Sequence, residues 1–374
     1  MKYPRVKRHL MVLNTSKGQV KFGWHEDNAY IAENIGEPEM LLINMLNGKY
    51  TTEKIIEVIK QKFPKIDEKD ILTTINDLEK ANILEDAIIV DKNDDFSDEE
   101  MKLYDRQLLY FKFTRNNHIN VQKAIKNSRI LLLGLGGGGS AVAYNLAVAG
   151  VGYILAIDFD TVEYSNLNRS MLFSYDDLGK YKTDVALSKI KKYNPLIEFE
   201  ILKLKIDSPE VIMKLLNSKV KFDFIIQCID RPHGIRSFIN DACMATNIPY
   251  IGGGYIENKI GIGPLCIPHK TACWNCYEKR YLDKSPLNIP FKESILLTER
   301  YNAASFGPQT SILGGMIALE VLKYIGKFDE PRSFNKRIYL DLHTMDISYD
   351  EIIRLKDCPS CGKSITIKER KANV

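Results

Sequence analysis

The chain has 374 residues, enough for two to three domains, and with 45% hydrophobic and 27% charged residues it has an ordinary globular composition rather than a disordered or fibrous one. The 52 basic residues nearly balance the 48 acidic ones, and a net charge of +4 argues against a dedicated nucleic-acid binder. The longest apolar runs, Leu131–Leu135 and Ile312–Ala318, are too short to cross a bilayer, and no apolar stretch follows the basic N-terminus as in a secretory signal. We therefore expect a cytoplasmic protein without a membrane or nucleic-acid partner.

Residues 1–90 are predicted to form a small separate domain of winged-helix-like type, with three short helices and a few strands. Pro38 suits the first turn of one helix, and Asp67 is a candidate N-cap for another. The stretch 6–34 has the composition and turn residues of β-strands, and Ile88–Val90 is a further strand candidate.

The charge of this domain bears on its partner. A winged helix can bind DNA, but residues 1–90 contain 13 basic and 14 acidic residues, which does not favour phosphate binding. A structural or dimerisation role is the plain alternative. Binding of a peptide against an exposed strand edge is the more specific hypothesis.

Residues 91–125 are predicted to be a linker and a crossing helix. The first ten are acidic and lack apolar spacing, and Ser97 suits the N-cap of a helix that runs through Leu103, Leu108 and Phe111. Residues 126–374 alternate between strand-like and helix-like segments, which is typical of a largely parallel α/β sheet. The predicted fold class is therefore α/β, with a small N-terminal domain.

A glycine-rich segment indicates nucleotide binding. The buried-strand run Ile130–Leu133 leads directly into a Gly-x-Gly-x-x-Gly pattern and then a helix. The glycines of this loop are Gly134, Gly136, Gly137 and Gly139. They allow a tight turn and close approach of backbone N–H groups to phosphate. Asp158, 24 residues after Gly134, is suitably spaced to contact a ribose. The motif alone also fits NAD, FAD or glycine-rich packing without a ligand.

The segments that follow are not those of a dehydrogenase. Asp158–Arg169, Gly179–Lys182 and Cys228–Asp230 together resemble the E1-like adenylyltransferases, which activate sulfur-carrier and ubiquitin-like proteins. The resemblance covers about residues 97–362 and implies a Rossmann-like domain that uses ATP and Mg²⁺ to adenylate a C-terminal carboxylate. Such a carboxylate, with a pKa of about 3.5, is already ionised at neutral pH. The site therefore needs cations and backbone donors more than a general base.

The resemblance also implies individual roles. It assigns Arg169 and Lys182 to the phosphates, Asp158 to the ribose and Asp230 to Mg²⁺. It makes Arg106 an arginine that reaches across the interface of a homodimer. The other positions that it assigns to the nucleotide site are Asp160, Ser165, Asn166 and Arg231.

Four of the seven cysteines form two Cys-x-x-Cys pairs, which suit a structural tetrahedral zinc site. They are Cys273, Cys276, Cys358 and Cys361. The 81 residues between the pairs exceed the gap of a zinc ribbon, so the fold would have to close the site. A redox pair is the alternative, but neither pair has a thioredoxin-like context. The family carries the same two motifs, which favours Zn²⁺.

The three other cysteines, Cys228, Cys243 and Cys266, are predicted to be small core residues. E1 enzymes that form thioesters carry a nucleophilic cysteine in a crossover region. Residues 277–357 contain no cysteine, which argues against transthiolation by this chain.

A more detailed resemblance is to the branch of the family that makes microcin C7-like antibiotics. The local matches are Tyr104–Gln107, Gly252–Tyr255, Gly263–Pro264, Ala304–Pro308, Ile325–Pro331 and Asn335–Arg337. Enzymes of this branch carry an N-terminal peptide-binding domain and adenylate the C-terminus of a short ribosomally made peptide, and a second nucleotide event leaves an N–P-linked nucleotide. CTP in place of ATP stays open. The alternatives are an activator of a sulfur-carrier or ubiquitin-like protein and a leader-peptide-binding scaffold.

Overall fold

The computed structural model describes residues 1–15, 18–24, 29–88, 95–113, 117–232, 234–284 and 304–362. The chain divides into two compact units, Met1–Phe113 and Thr114–Val374. The stretch predicted as linker and crossing helix, 91–125, contributes helices to both units. None of the helices in the described ranges is both long and apolar enough to cross a membrane.

The first unit combines short helices with two small sheets. Its helices are α1 Glu37–Met45, α2 Thr52–Lys62, α3 Glu68–Lys80, α4 Asp98–Leu103 and α5 Asp105–Phe111. Its strands are β1 Pro4–Val6, β2 Val12–Asn14, β3 Val20–Phe22, β4 Tyr30–Ala32 and β5 Leu84–Asp86. Strands β1 and β5 pair antiparallel, and β2, β3 and β4 form an antiparallel meander.

Local signals account for most of these helix starts. Pro38 lies in the first turn of α1, and the Asp67 side chain caps α3, as predicted. Two other predictions differ from the structure. Of the strand expected at Ile88–Val90, Ile88 does not belong to a strand, and Ile89 and Val90 lie outside the described ranges; the strand in this region is β5. The single helix expected to run through Leu103, Leu108 and Phe111 is broken at Tyr104 into α4 and α5.

The second unit is built on one eight-stranded sheet. Its strands are β6 Arg129–Leu133, β7 Tyr153–Ile157, β8 Glu198–Leu202, β9 Phe224–Gln227, β10 Tyr250–Ile256, β11 Lys259–Ile262, β12 Lys336–Asp341 and β13 Ile347–Glu351. Its helices are α6 His118–Lys126, α7 Gly137–Val148, α8 Tyr164–Leu167, α9 Lys182–Tyr193, α10 Pro209–Leu216, α11 Ile235–Thr246, α12 Trp274–Lys284 and α13 Gly307–Gly326.

The strand order is β13-β12-β11-β10-β9-β6-β7-β8. The five strands from β10 to β8 are parallel, and β11, β12 and β13 continue the sheet antiparallel. This is a Rossmann-like α/β fold, and the predicted fold class is confirmed. The apolar residues of β6 are fully buried because helices cover both faces of a parallel sheet.

The order of the strands reverses at β6, which has β7 on one side and β9 on the other. The loops after β6 and β9 therefore meet at the carboxyl edge, where the Cys228 N–H donates to the Leu133 carbonyl at 2.8 Å. In open α/β sheets, ligands bind in the crevice at such a reversal. The glycine-rich segment begins at this point.

Candidate nucleotide site and cysteine cluster

The glycine loop is shaped by close contacts between backbones. Gly134 has a φ of +96°, and a Cβ there would lie 2.5 Å from the Cys228 carbonyl oxygen. A Cβ on Gly139 would lie 2.0 Å from the Gly134 oxygen, and one on Gly137 would lie 2.8 Å from the Thr310 side chain. At Gly136, nothing lies within 4 Å of an added Cβ. Three glycines therefore permit packing, and Gly136 faces open space beside the first turn of α7, where backbone N–H groups favour a phosphate.

This contrast gives a matched pair of expected results. Gly139→Ala should lower the melting temperature by about 5 °C or more, because the new methyl group has no room next to a backbone oxygen. Gly136→Ala should leave the melting temperature nearly unchanged and weaken ATP binding about tenfold, because its methyl group would occupy space needed by phosphate. Thermal unfolding and ATP titration measure the two effects. Equal ATP affinity in Gly136→Ala would place the phosphates elsewhere.

The carboxylate of Asp158 is held against the glycine loop. It accepts hydrogen bonds from the Leu135 N–H at 2.7 Å and the Asp160 N–H at 2.9 Å. Burial raises the pKa of this carboxyl, and the charge of Lys182 opposes that rise. Lys182 is itself buried, and its Nζ lies 2.8 Å from the Asp160 carboxylate. The structure thus brings Asp158, Asp160 and Lys182 together beside the loop.

The segment after β7 is tied to the same place. Asn166 accepts from the Glu163 N–H at 3.0 Å and so caps α8, and the Arg169 guanidinium donates to the Ser165 carbonyl. The Thr310 hydroxyl of α13 donates to the Arg169 carbonyl at 2.7 Å. Since the same threonine packs against Gly137, these contacts bring the predicted residues Ser165, Asn166 and Arg169 to the start of α7.

Asp230 lies beyond the carboxyl end of β9, with a side chain that is 77% exposed. Its carboxylate is 3.4 Å from the guanidinium of Arg236 in α11. The neighbouring Arg231 is also exposed. An exposed carboxylate next to the β6–β9 crevice is suitably placed to hold a divalent cation.

Arg106 belongs to the first unit. It lies on α5 with a 92% exposed side chain, 4.0 Å from the carboxylate of Asp105. Its assignment to a nucleotide site across a dimer interface stays a prediction.

The two Cys-x-x-Cys pairs meet in space. All four Sγ atoms are buried and lie within 4.8 Å of one another. The contacts between Sγ atoms are 3.8 Å for Cys273–Cys276, 3.6 Å for Cys273–Cys358 and 3.4 Å for Cys276–Cys361. A tetrahedral ion with Zn–S bonds of about 2.3 Å needs edges of about 3.8 Å, whereas a disulfide needs about 2.05 Å. The cluster therefore fits a metal ion with four thiolate ligands.

The remaining cysteines differ from one another. Cys243 and Cys266 are buried, as predicted, whereas Cys228 is partly exposed. Burial of its thiol group nevertheless raises the pKa of Cys228 to about 12, so that it is a poor nucleophile at neutral pH.

The sequence reasoning gave no role in the site to three nearby residues, Arg236, Arg337 and Trp274. Arg236 and Arg337 both stack near the ring of Trp274, at 5.0 and 5.4 Å from its centroid. Alternate glycines in β10, Gly252 and Gly254, were the available signal, because they leave one face of that strand without side chains.

The fold and the glycine-loop crevice define a nucleotide-binding enzyme of the E1 adenylating class. The model of the ThiF family matches residues 104–362, well over half of the chain, and the chain belongs to the ThiF family. It is accordingly an E1-like adenylyltransferase that uses ATP.

This chain is similar to known proteins both in sequence and in structure. The molybdopterin-synthase adenylyltransferase of Escherichia coli K12 is 29% identical over 269 residues, which are 72% of this chain and 99% of that protein. The crystal structure of E. coli MccB with ATP is 27% identical, has a TM-score of 0.72 and covers 97% of this chain and 100% of that one. The crystal structure of PaaA, 23% identical with a TM-score of 0.73, shares the fold.

Proposed function

We propose that this chain is a nucleotidyltransferase that adenylates the C-terminus of a short, ribosomally made peptide, in a pathway similar to microcin C7 biosynthesis. The extent of the two matches carries the proposal. The molybdopterin-synthase relative leaves more than a quarter of this chain without a counterpart, whereas MccB covers nearly all of it. One structure of the microcin C7 biosynthetic enzyme MccB is a complex with N-formylated MccA.

The first unit is the proposed peptide-binding domain. Its β2–β3–β4 meander carries exposed apolar side chains on both faces, Val12 on one and Ile31 on the other. A small sheet with edge strands and exposed apolar side chains suits an extended peptide that adds its own backbone hydrogen bonds. The near-zero charge of this region favours such a partner over a phosphate backbone.

The chemistry follows from the charges around the glycine loop. A carboxylate oxygen of the peptide attacks the α-phosphorus of ATP, a new P–O bond forms, and pyrophosphate leaves with the bonding electrons. No proton has to move, since the attacking carboxylate is already ionised. Arg169 and Lys182 are the proposed cations for the phosphate oxygens, and Asp158 the partner of the ribose. In a second transfer, a nitrogen of the C-terminal residue would attack the α-phosphorus of another ATP; a P–N bond forms, pyrophosphate leaves, and the nitrogen loses its proton to solvent, which gives an N–P-linked nucleotide.

Two metal ions belong to the proposal. Asp230 would hold Mg²⁺, which supplies positive charge to the phosphate oxygens. The four-cysteine cluster would hold one structural Zn²⁺ and would fasten the segment of Cys358 and Cys361 to α12. We further propose a cytoplasmic homodimer in which Arg106 of one protomer serves the site of the other.

Activation of a sulfur-carrier or ubiquitin-like protein is the second candidate. Its support is the similarity to the molybdopterin-synthase adenylyltransferase, at 29% identity, and to the ubiquitin-like modifier-activating enzyme 5 of Dictyostelium discoideum, at 30% identity. It predicts a protein substrate with a C-terminal Gly-Gly and gives no role to the first unit. The two candidates therefore differ in the size and the last residue of the substrate.

ATP–pyrophosphate exchange is expected to distinguish them. The protein should exchange labelled pyrophosphate into ATP only when Mg²⁺ and a short peptide are present, and the product should carry AMP. The peptides to test are those encoded next to the gene of this chain, each with Asn, Asp or Gly as its last residue, alongside a sulfur-carrier protein that ends in Gly-Gly. CTP in place of ATP tests the nucleobase.

Exchange with the carrier protein alone would favour the second candidate. Peptide binding without exchange of either nucleotide would favour the scaffold role. A variant with Arg169→Ala should lose exchange by about 10³-fold, since one preorganised cation at a phosphoryl-transfer site contributes that much. Lys192→Met, on the exposed face of α9, is the matched control and should keep full exchange.

A further inference from the structure

A second charged cluster lies on the sheet beyond Asp230. We name Arg236, Arg337, Trp274, Tyr277 and Tyr339 the arginine–aromatic cluster. The guanidinium of Arg337 lies 5.4, 5.1 and 5.5 Å from the ring centroids of Trp274, Tyr277 and Tyr339, and that of Arg236 lies 5.0 Å from Trp274. Both guanidinium groups thus lie near Trp274, and Arg337 is also close to the two tyrosines.

Glycines in the strands below provide the space for both guanidinium groups. A Cβ on Gly254 would lie 2.9 Å from Nη2 of Arg236, and a Cβ on Gly261 would lie 2.9 Å from Nη2 of Arg337. The guanidinium groups therefore lie directly over the backbones of β10 and β11. A larger residue at either position would push a cation away.

The charge of this cluster is poorly balanced within the described residues. Arg337 is 6% exposed and forms no ion pair there; it donates to the Gly263 carbonyl at 2.8 Å, and its buried Nε has no acceptor. Arg236 reaches only Asp230 and the Gly253 carbonyl, both at 3.4 Å. Placing the buried Arg337 next to the partly buried Arg236 with so few acceptors is costly, unless an anion joins them.

The position of the cluster in the sheet indicates which anion would bind there. The nucleotide residues follow β7 and β6, Asp230 follows β9, and Arg337 lies on β12, on the other side of β9. Along the sheet, the order from the ribose side is therefore the glycine loop, Asp230 and the arginine–aromatic cluster. The acceptor in an adenylation must approach the α-phosphate from the side that the nucleotide does not fill.

We propose that Arg236 and Arg337 form the acceptor subsite, which binds the carboxylate of the substrate's C-terminal residue. This assignment rests on the proposed function, since it names where that substrate is held. Guanidinium groups bind carboxylates through paired N–H donors, and the aromatic rings keep water from competing. Arg236 belongs to this subsite and also contacts Asp230. It would therefore hold the attacking oxygen next to the carboxylate that is proposed to bind Mg²⁺.

Trp274 provides a readout that does not depend on turnover. The chain has two tryptophans, and Trp24 is 64% exposed, so Trp24→Phe leaves Trp274 as the single reporter. In this background, with AMPCPP and Mg²⁺ present, N-acetyl-asparagine and N-acetyl-glycine should change the fluorescence saturably. N-acetyl-asparaginamide, which lacks the carboxylate, should not.

Arg337→Met in the same background should weaken binding of both carboxylates at least about 30-fold, the loss expected when one partner of a buried charge pair is removed. It should keep the affinity for AMPCPP and the same or a higher melting temperature, because an unpaired buried charge has been replaced by an apolar side chain. Arg337→Lys, which keeps the charge, should recover part of the binding if the methionine variant folds poorly. Lys192→Met should bind as the parent does.

Equal binding of the amide, unchanged binding in both Arg337 variants, or no saturable signal from either carboxylate would each overturn the assignment. A melting temperature that falls in Arg337→Met while carboxylate affinity is kept would make Arg337 a structural residue only. Failure of the proposed function would look different. The parent protein would then bind the carboxylates without any peptide-dependent exchange of pyrophosphate.

Discussion

Replacing Asp230 by alanine is expected to lower peptide-dependent pyrophosphate exchange by about 10³-fold and to leave the fold intact. The activity falls because the carboxylate would hold the ion that neutralises the phosphate oxygens during transfer, and single charges at such sites typically contribute this much. The fold persists because the side chain is 77% exposed and its ion pair with Arg236, at 3.4 Å, is screened by solvent. Exchange assays and thermal unfolding of the purified variant measure the two effects.

Asp207→Ala is a suitable control, since Asp207 is another exposed carboxylate and has no assigned role in the site. It should keep both the exchange rate and the melting temperature of the parent. Raising the Mg²⁺ concentration should recover part of the activity of Asp230→Ala if the defect is weak metal binding. Full activity in Asp230→Ala at ordinary Mg²⁺ would show that the metal carboxylate has been misassigned.

Replacing Cys276 by serine is expected to have the largest effect on stability. The parent should contain about one zinc per chain, and the variant close to none, since tetrahedral structural sites rarely keep the ion with three ligands. The melting temperature should fall by about 10 °C or more, because metal binding contributes to folding free energy and the segment of Cys358 and Cys361 would lose its attachment to α12. Metal analysis and thermal unfolding are the measurements.

Cys228→Ser supplies the matched control, because it makes the same change of sulfur to oxygen at a cysteine outside the cluster. It should keep its zinc and nearly the melting temperature of the parent. A strong chelator should lower the melting temperature of the parent and leave that of Cys276→Ser unchanged. A parent protein that contains no zinc, and that melts identically with and without chelator, would contradict the proposed centre.

Local signals were read correctly where one short segment contains both the cause and the effect. Pro38 and Asp67 mark helix starts because their preferences act on the next three or four residues. The break between α4 and α5 at Tyr104 was missed, since the apolar spacing continues through it. Strand β5 was not predicted, because its Leu-Glu-Asp has a lower strand propensity than the Ile-Ile-Val that follows it.

The candidate site shows the same division over longer distances. Gly134–Gly139 and the two Cys-x-x-Cys pairs could be identified because their spacing reflects a local geometric requirement. Arg236 and Arg337 could not be grouped, since they are about a hundred residues apart and meet only through the pairing of β10, β11 and β12. No short motif records that arrangement.

By itself, the sequence determined the fold class, the nucleotide loop and the four candidate metal ligands, because these depend on strand periodicity, glycine geometry and the chemistry of thiolates. Only the tertiary structure decided that Asp158 and Lys182 lie close together beside the glycine loop. It also decided that the four cysteine Sγ atoms lie within 4.8 Å of one another. It also placed the buried Arg337 and the partly buried Arg236 beyond Asp230. The physical reason is that burial and charge balance arise from which strands become neighbours, and strand order is a property of the whole sheet rather than of any segment.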